Sequence, residues 1–161
     1  ACEYDLPYVA EHCDVFYIGG TKVGAMFGEA VVFSGMKAPK YFFTNVKRHG
    51  ALLAKGRMLG IQFDTLFTDG LYFKISKHAI DMAAAIRKIF AKHNIPLAYD
   101  SPTNQQFVIL SPALYQALSK LVAFEIWEKK NEQEIVCRFV TSWATKEEEL
   151  EELDKAIEKI S

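Results

Sequence analysis

The 161-residue sequence contains few cysteines, and they form no recognisable framework. Cys2, Cys13 and Cys137 are odd in number, and their spacing fits neither a set of disulfides nor a zinc site. The four histidines are scattered and form no pair at helical spacing, so we predict no metal site. This use of cysteine is typical of a reducing compartment and predicts a cytoplasmic protein.

The sequence also lacks an excess of charge and any long apolar run. Its formal net charge is -1, which provides no basic field for nucleic acid. No apolar run approaches the length of a membrane span, and no signal-peptide pattern opens the chain. We therefore expect neither nucleic acid nor membrane as a partner. The start at Ala1-Cys2-Glu3-Tyr4, without an initiator methionine, leads us to expect a piece of a longer protein.

A lysine stands between two apolar runs near the start of the chain. Residues 15–18 and 30–33 are predicted as buried strands, and Gly19 and Gly20 permit a sharp turn that carries Lys22. At the mouth of a sheet a lysine loses solvation, which favours the neutral, nucleophilic amine that a Schiff base requires. The Walker phosphate-loop pattern is absent, and the alternative interpretations are an ordinary solvent-facing turn or another phosphate-binding loop.

Apolar periodicity predicts a series of helices after this turn. Residues 34–39 are predicted as a loop, and 41–66 as one helix rich in small residues. A second helix is predicted from about Ser76 to His93, where apolar residues recur at three- and four-residue steps. The chain is therefore predicted to divide near residues 68–76.

The second part is predicted as a small α/β layer with an antiparallel pair of strands. Its predicted strands are 107–110, 122–128 and 134–140. A helix is expected to begin at Ser111-Pro112, a cap residue followed by proline. The pattern Thr145-Lys-Glu-Glu148 predicts a capping box at the start of a last amphipathic helix.

An arginine occupies the middle of the last predicted strand. Arg138 shares its face of that strand with Val136 and Val140. A guanidinium in this position suits a bidentate anion such as a substrate carboxylate. The alternative, which the residues alone slightly favour, is an edge-strand arginine that reaches solvent or pairs with a structural carboxylate.

Three stretches resemble one family of enzymes. The run Asp14-Val-Phe-Tyr-Ile-Gly-Gly-Thr-Lys22, with Phe27-Gly-Glu-Ala30 after it, resembles the cofactor-lysine segment of the threonine aldolase and β-eliminating lyase family. Residues 47–57 resemble the helix that follows, and 138–143 resemble the strand that supplies a carboxylate-binding arginine. These enzymes depend on pyridoxal 5'-phosphate and have the aspartate-aminotransferase type of fold.

The resemblance extends over nearly all of the chain and implies its fold class. We expect an α/β structure, the C-terminal half of a pyridoxal-phosphate-dependent transferase-like fold. Residues 1–70 would form the end of the large cofactor-binding domain, and residues 71–161 the small C-terminal α/β domain.

The resemblance also implies roles for particular residues. Lys22 would form the Schiff base with pyridoxal 5'-phosphate, and Arg138 would bind the α-carboxylate of a small amino-acid substrate. Thr21 would contact the cofactor or its phosphate. Arg48 would reach a phosphate, across a subunit interface in a homo-oligomer (dimer or tetramer). His49 is a weak local candidate for the catalytic base.

The implied reaction is cleavage of a β-hydroxy-α-amino acid to glycine and an aldehyde. Lys22 and Arg138 would serve β-elimination or amino transfer equally well, so these reactions remain open. A non-enzymatic binding or oligomerisation module is the alternative of another class. In this family the groups that hold the cofactor's phosphate and pyridine nitrogen precede the lysine segment, so the chain alone is expected to be inactive.

Overall fold

The computed structural model describes residues 4–35 and 38–160. The chain forms two compact units, Cys2–Lys74 and Ile75–Ser161. The loop predicted at 34–39 includes Met36 and Lys37, which lie outside the described residues. None of the helices in the described part of the chain is long and apolar enough to cross a bilayer.

The N-terminal unit begins with a short helix that the sequence analysis did not predict. Helix α1 (Leu6–His12) begins after Asp5, whose carboxylate accepts the backbone N–H of Tyr8 at 2.9 Å. None of its residues is buried. It therefore lacks the apolar periodicity by which a helix is recognised in a sequence.

The two strands predicted around the lysine are present and form a hairpin, but the prediction that they are buried is wrong, because Val15, Tyr17 and Val31 are exposed. Strands β1 (Val15–Gly19) and β2 (Glu29–Phe33) pair antiparallel, with Val15 opposite Phe33 and Gly19 opposite Glu29. Each strand is one residue longer than predicted. A single turn of 3-10 helix at Thr21–Val23 lies in the connection between them.

The single helix predicted at 41–66 is wrong. The chain forms two helices, α2 (Phe42–Arg48) and α3 (Arg57–Phe67), separated by an irregular segment. Gly50 has φ of 71° and Lys55 has φ of 58°, both in the left-handed region that a right-handed helix does not contain. A 3-10 turn at Thr68–Gly70 follows α3.

The next helix, α4 (Leu71–Lys92), begins five residues earlier than predicted. None of its first eight residues is buried. The buried residues follow them: Ala79, Met82, Ala83, Ile86 and Phe90. Leu71 and Phe73, in contrast, are exposed. The periodicity therefore revealed only the part of the helix that packs against a core.

The C-terminal unit contains a three-stranded antiparallel sheet. Its strands are β3 (Gln105–Leu110), β4 (Glu125–Lys129) and β5 (Ile135–Val140), in the order β3-β5-β4. Because β5 is central, Arg138 lies opposite Phe107 on one side and Glu125 on the other.

Helix α5 (Pro112–Leu118) connects β3 to β4 and explains why β4 begins three residues later than predicted. Ser111 caps this helix as expected, with its hydroxyl accepting the N–H of Leu114 at 3.2 Å. At the other end, the N–H of Val122 donates to the carbonyl of Leu118 at 2.9 Å. Val122 therefore belongs to the turn that ends α5.

The last helix, α6 (Glu147–Ile160), shares one hydrophobic core with α4, α5 and the sheet. Phe90 of α4 lies edge-on to Phe139 of β5, with ring centres 4.9 Å apart. Cys137 and Phe139 face this core, as strand alternation predicted. Arg138 is thereby assigned to the opposite face of the sheet.

The capping box predicted for α6 is wrong by one residue. The hydroxyl of Thr145 accepts the N–H of Ser142 at 2.9 Å and closes a preceding turn. The N–H of Lys146 donates to the carboxylate of Glu149 at 2.9 Å. The carboxylate that binds a backbone N–H at the start of α6 is therefore that of Glu149 rather than Glu148, and the Thr145 hydroxyl binds the preceding turn instead.

Asp154 links α6 to the end of α4, and its removal is expected to destabilise the C-terminal unit. Its carboxylate accepts from Lys92 at 2.7 Å and lies 2.6 Å from Nε2 of His93. These two partners hold the pKa of Asp154 below its ordinary value of 3.8. A carboxyl whose pKa is lowered by folding contributes stability above its unfolded pKa, and that contribution disappears as the pH falls through the folded pKa.

We therefore expect Asp154→Asn to unfold at lower denaturant concentration than the parent at neutral pH. The difference between the two unfolding midpoints should become smaller below pH 3.8. Both tryptophans, Trp127 and Trp143, lie in this unit, so their fluorescence follows its unfolding. Asp81→Asn removes an exposed ion pair with Lys77 and is the matched control, expected to change little. A difference in unfolding midpoint that stays the same in acid would contradict this role of Asp154.

Candidate active site

The backbone of the lysine turn, Thr21–Val23, is fixed by hydrogen bonds and by buried neighbouring residues. The carbonyl of Gly20 accepts the N–H groups of Val23 at 3.0 Å and Ala25 at 2.9 Å. Val23 and Ala25 are buried, whereas Thr21 and Lys22 are exposed. The backbone is thus fixed by packing, and the two polar side chains point away from the packed residues.

Gly20 is required by the closeness of this packing. A Cβ atom there would lie 2.6 Å from Cβ of Ala25 and 3.0 Å from the ring of Phe63 in α3. Gly19 contributes differently, through its carbonyl, which accepts the hydroxyl of Tyr72 at 3.0 Å. Gly20 therefore permits a close contact with Ala25 and Phe63, and Gly19 provides the carbonyl that binds Tyr72.

Gln62 of α3 is a second anchor that the sequence analysis missed. Its side-chain oxygen accepts the N–H of Met26 at 2.7 Å, and its amide nitrogen donates to the carbonyl of Phe27 at 3.3 Å. These bonds fix the segment between the lysine turn and β2. The available signal was a lone amide among the apolar residues of α3.

Lys22 is not desolvated by its neighbours, contrary to the expectation from its place beside a sheet. Its side chain is exposed, and the ion pairs and side-chain hydrogen bonds found among the described residues do not include it. The amine is therefore accessible to an aldehyde, whereas the desolvation expected to favour its neutral form is not observed. Thr21 adds an adjacent exposed hydroxyl that suits a phosphate or a ring substituent.

Arg48 and His49 lie at the end of α2. Both are exposed, and within the described residues no side-chain hydrogen bond or ion pair connects either of them to the lysine turn. A cation at this end of a helix is favoured by the helix dipole, which accounts for Arg48 without a ligand. The roles suggested for these two residues stay predictions.

Arg138 has three partners on the face of the sheet opposite Cys137. Its Nη1 donates to the side-chain oxygen of Gln105 at 3.1 Å, and its Nη2 donates to the carboxylate of Glu125. The guanidinium carbon lies 5.3 Å from the ring centre of Trp127. The edge-strand alternative is wrong because β5 is central, whereas pairing with a carboxylate of the chain itself is observed.

An aromatic row supports the guanidinium on this face. The rings of Trp127 and Phe107 meet edge-on at 5.2 Å, and those of Phe107 and Tyr99 at 5.5 Å. The hydroxyl of Tyr99 donates to Glu128 at 3.1 Å. None of these partners was predicted from the sequence, since they depend on strand register.

Cys137 lies beside Arg138 in sequence but faces the core, so it is expected to be unreactive. Burial raises the pKa of its thiol from 9.0 to about 11. That rise reduces the reactive thiolate about 100-fold, before any effect of blocked access. Cys13, in contrast, is exposed.

In a Cys2→Ser background we expect one thiol, Cys13, to react rapidly with a thiol reagent at mildly alkaline pH. Cys137 should react only after the protein is unfolded with denaturant. Thiol counting before and after unfolding, with peptide mapping, checks this. Rapid labelling of Cys137 in the folded protein would contradict its burial in β5.

Within residues 4–35 and 38–160, no group of three or more histidine, cysteine or acidic side chains is placed to hold a metal ion. The residues predicted for the site are divided between the two units. Thr21 and Lys22 lie together in the N-terminal unit, with Arg48 elsewhere in that unit, and Arg138 lies in the C-terminal unit.

Known proteins provide the context for these residues. No protein-family model matches the chain. The low specificity L-threonine aldolase of Pseudomonas sp. (strain NCIMB 10558) is 30% identical over 142 residues, which are 87% of this chain and 40% of that protein. The enzyme of the same name from Pseudomonas aeruginosa is 28% identical over 145 residues, 89% of this chain and 41% of that protein.

The solved structure of Leishmania major threonine aldolase superposes with a TM-score of 0.92 at 34% identity. It covers 99% of this chain, which in turn covers 47% of it. The chain has the fold of part of a pyridoxal-phosphate-dependent transferase, as the resemblance implied. Within that class it is related to the threonine aldolases, and it spans less than half the length of the relatives it matches. The assignment of 1–70 and 71–161 to large and small domains stays a prediction.

Proposed function

We propose that the chain forms the C-terminal part of a pyridoxal-phosphate-dependent carbon–carbon lyase of the threonine aldolase type. The complete enzyme, meaning this chain joined to the remainder of a protein of threonine aldolase length, would cleave a β-hydroxy-α-amino acid to glycine and an aldehyde. The observation that carries the proposal is the match to a threonine aldolase structure over 99% of the chain.

The lysine turn fits the cofactor by its chemistry. When bound, pyridoxal 5'-phosphate supplies an electron sink for the bond that is broken. Lys22 would hold it covalently, and no ion pair found among the described residues engages its amine. The hydroxyl of Thr21 and the guanidinium of Arg48 suit contacts with its phosphate.

Arg138 binds the α-carboxylate of the substrate. Gln105 and Trp127 hold its guanidinium in one orientation, so that its terminal nitrogens keep a defined direction. Fixing the carboxylate limits the orientations of the substrate's Cα–Cβ bond, which is a contribution of positioning. His49 is an exposed side chain without a contact to the lysine turn in the described residues, and it has no support as the base.

Product analysis tests this proposal. The complete enzyme, loaded with cofactor and given a threonine-like amino acid, should release glycine and an aldehyde in equal amounts. Keto acid with ammonia would indicate β-elimination, and a transaminated pair would indicate amino transfer; either result as the main reaction would contradict the proposal. The 161 residues alone should show no turnover, because they span less than half the length of the relatives they match.

We further propose a cytoplasmic homo-oligomer, a dimer or tetramer. The cysteine pattern supports the location. The oligomer is supported by apolar side chains of α3 and the segment before it that stay about half exposed, namely Leu52, Leu53, Met58 and Ile61.

A further inference from the structure

We infer that Glu125 is an internal competitor for the carboxylate site of Arg138. Its carboxylate binds the guanidinium when substrate is absent, and the α-carboxylate of the substrate has to displace it. This inference rests on the proposed role of Arg138 and adds a residue that sets substrate affinity.

The register of the sheet places this competitor at the arginine. Glu125 of β4 lies directly opposite Arg138 of β5. Its carboxylate accepts from Nη2, and the neutral amide of Gln105 accepts from Nη1. The terminal edge of the guanidinium, which would bind a carboxylate with two parallel hydrogen bonds, is therefore already occupied.

The other edge of the guanidinium is closed to a ligand. Nε of Arg138 is buried and has no hydrogen-bond partner among the described residues. The guanidinium carbon also lies over the ring of Trp127. A substrate carboxylate therefore has to approach through Nη1 and Nη2, where the carboxylate of Glu125 already lies.

The two members of the ion pair differ in how firmly they are held. The side chain of Arg138 is 26% exposed, and Gln105 and Trp127 hold it in addition to Glu125. The side chain of Glu125 is 69% exposed and can turn into water. Because a second carboxylate at the same guanidinium is repelled, displacement moves Glu125 and leaves Arg138 in place.

Removing the competitor should strengthen ligand binding modestly. Exposed ion pairs contribute little, so Glu125→Gln is expected to tighten binding of the product glycine about two- to fivefold. A residue that merely positioned Arg138 would have the opposite effect, because its loss would weaken binding. The sign of the change therefore distinguishes competition from positioning.

The experiment measures glycine affinity in the complete, cofactor-loaded enzyme. The cofactor's visible absorption follows glycine binding. The variants are Glu125→Gln, Arg138→Gln and the double variant. Glu128→Gln is the matched control, because it removes the same charge from the same strand but contacts Tyr99 rather than an arginine.

We expect tighter binding in Glu125→Gln, no comparable change in Glu128→Gln, and no effect of the Glu125 change once Arg138 is replaced. Unchanged or weaker binding in Glu125→Gln, or equal tightening in Glu128→Gln, would overturn the inference while leaving the proposed function intact. Unaltered glycine affinity in Arg138→Gln would instead refute the carboxylate-binding role itself, and the competitor with it.

Discussion

Replacing Lys22 with alanine is expected to lower kcat of the complete enzyme by at least about 100-fold, within the range seen when a positioned catalytic side chain is lost. The reason is chemical, since alanine has no amine with which to hold the cofactor covalently. The protein should also lose the visible absorption that comes from the covalent link between Lys22 and the cofactor. Steady-state kinetics and the absorption spectrum measure the two effects.

The fold should survive this substitution. Lys22 is exposed, and the turn around it is held by Gly20, Val23 and Ala25 rather than by the lysine side chain. Lys47→Ala is the matched control, since it removes another exposed lysine of the same unit. Equal activity of the Lys22 and Lys47 variants would contradict the assignment of Lys22.

Replacing Arg138 with glutamine is expected to weaken substrate binding about 10- to 100-fold. A hydrogen bond to a charged group contributes about 1.5–3 kcal/mol, and each 1.4 kcal/mol corresponds to about a tenfold change in affinity. KM should rise more than kcat falls, because the carboxylate is held equally before and during bond cleavage. Kinetics with a threonine-like substrate check this.

Two further variants separate geometry from charge and from stability. Arg138→Lys keeps the charge but loses the planar pair of donors, so it should restore only part of the affinity. Arg87→Gln removes another arginine that pairs with a carboxylate in the same unit, Asp100 at 2.7 Å. It should leave KM unchanged, and a rise in KM equal to that of Arg138→Gln would show that the effect is not specific.

The hairpin that carries Lys22 was predictable because two apolar runs flank a pair of glycines. The division of residues 41–66 into two helices was not. Its small and apolar residues are compatible with a helix, and the break depends on left-handed conformations at Gly50 and Lys55. For Lys55 in particular, nothing in the residue type favours that conformation.

The candidate site, too, could be predicted from the sequence only in part. Strand alternation correctly assigned Arg138 to the face opposite Cys137, because side-chain direction has a period of two. Its partners Gln105 and Glu125 were beyond prediction, since they come from two other strands. For Glu125 the register also contains an irregularity between Ile126 and Glu128. Exposure of Lys22 was likewise not predictable from apolar flanks alone.

The most direct test of the account is to find the lysine that holds the cofactor. Borohydride reduction of the complete, cofactor-loaded enzyme, followed by digestion and mass spectrometry, identifies that lysine without relying on activity. The account predicts the reduced cofactor on the peptide that contains Lys22. Attachment to another lysine, or no attachment in a protein that binds the cofactor, would contradict it.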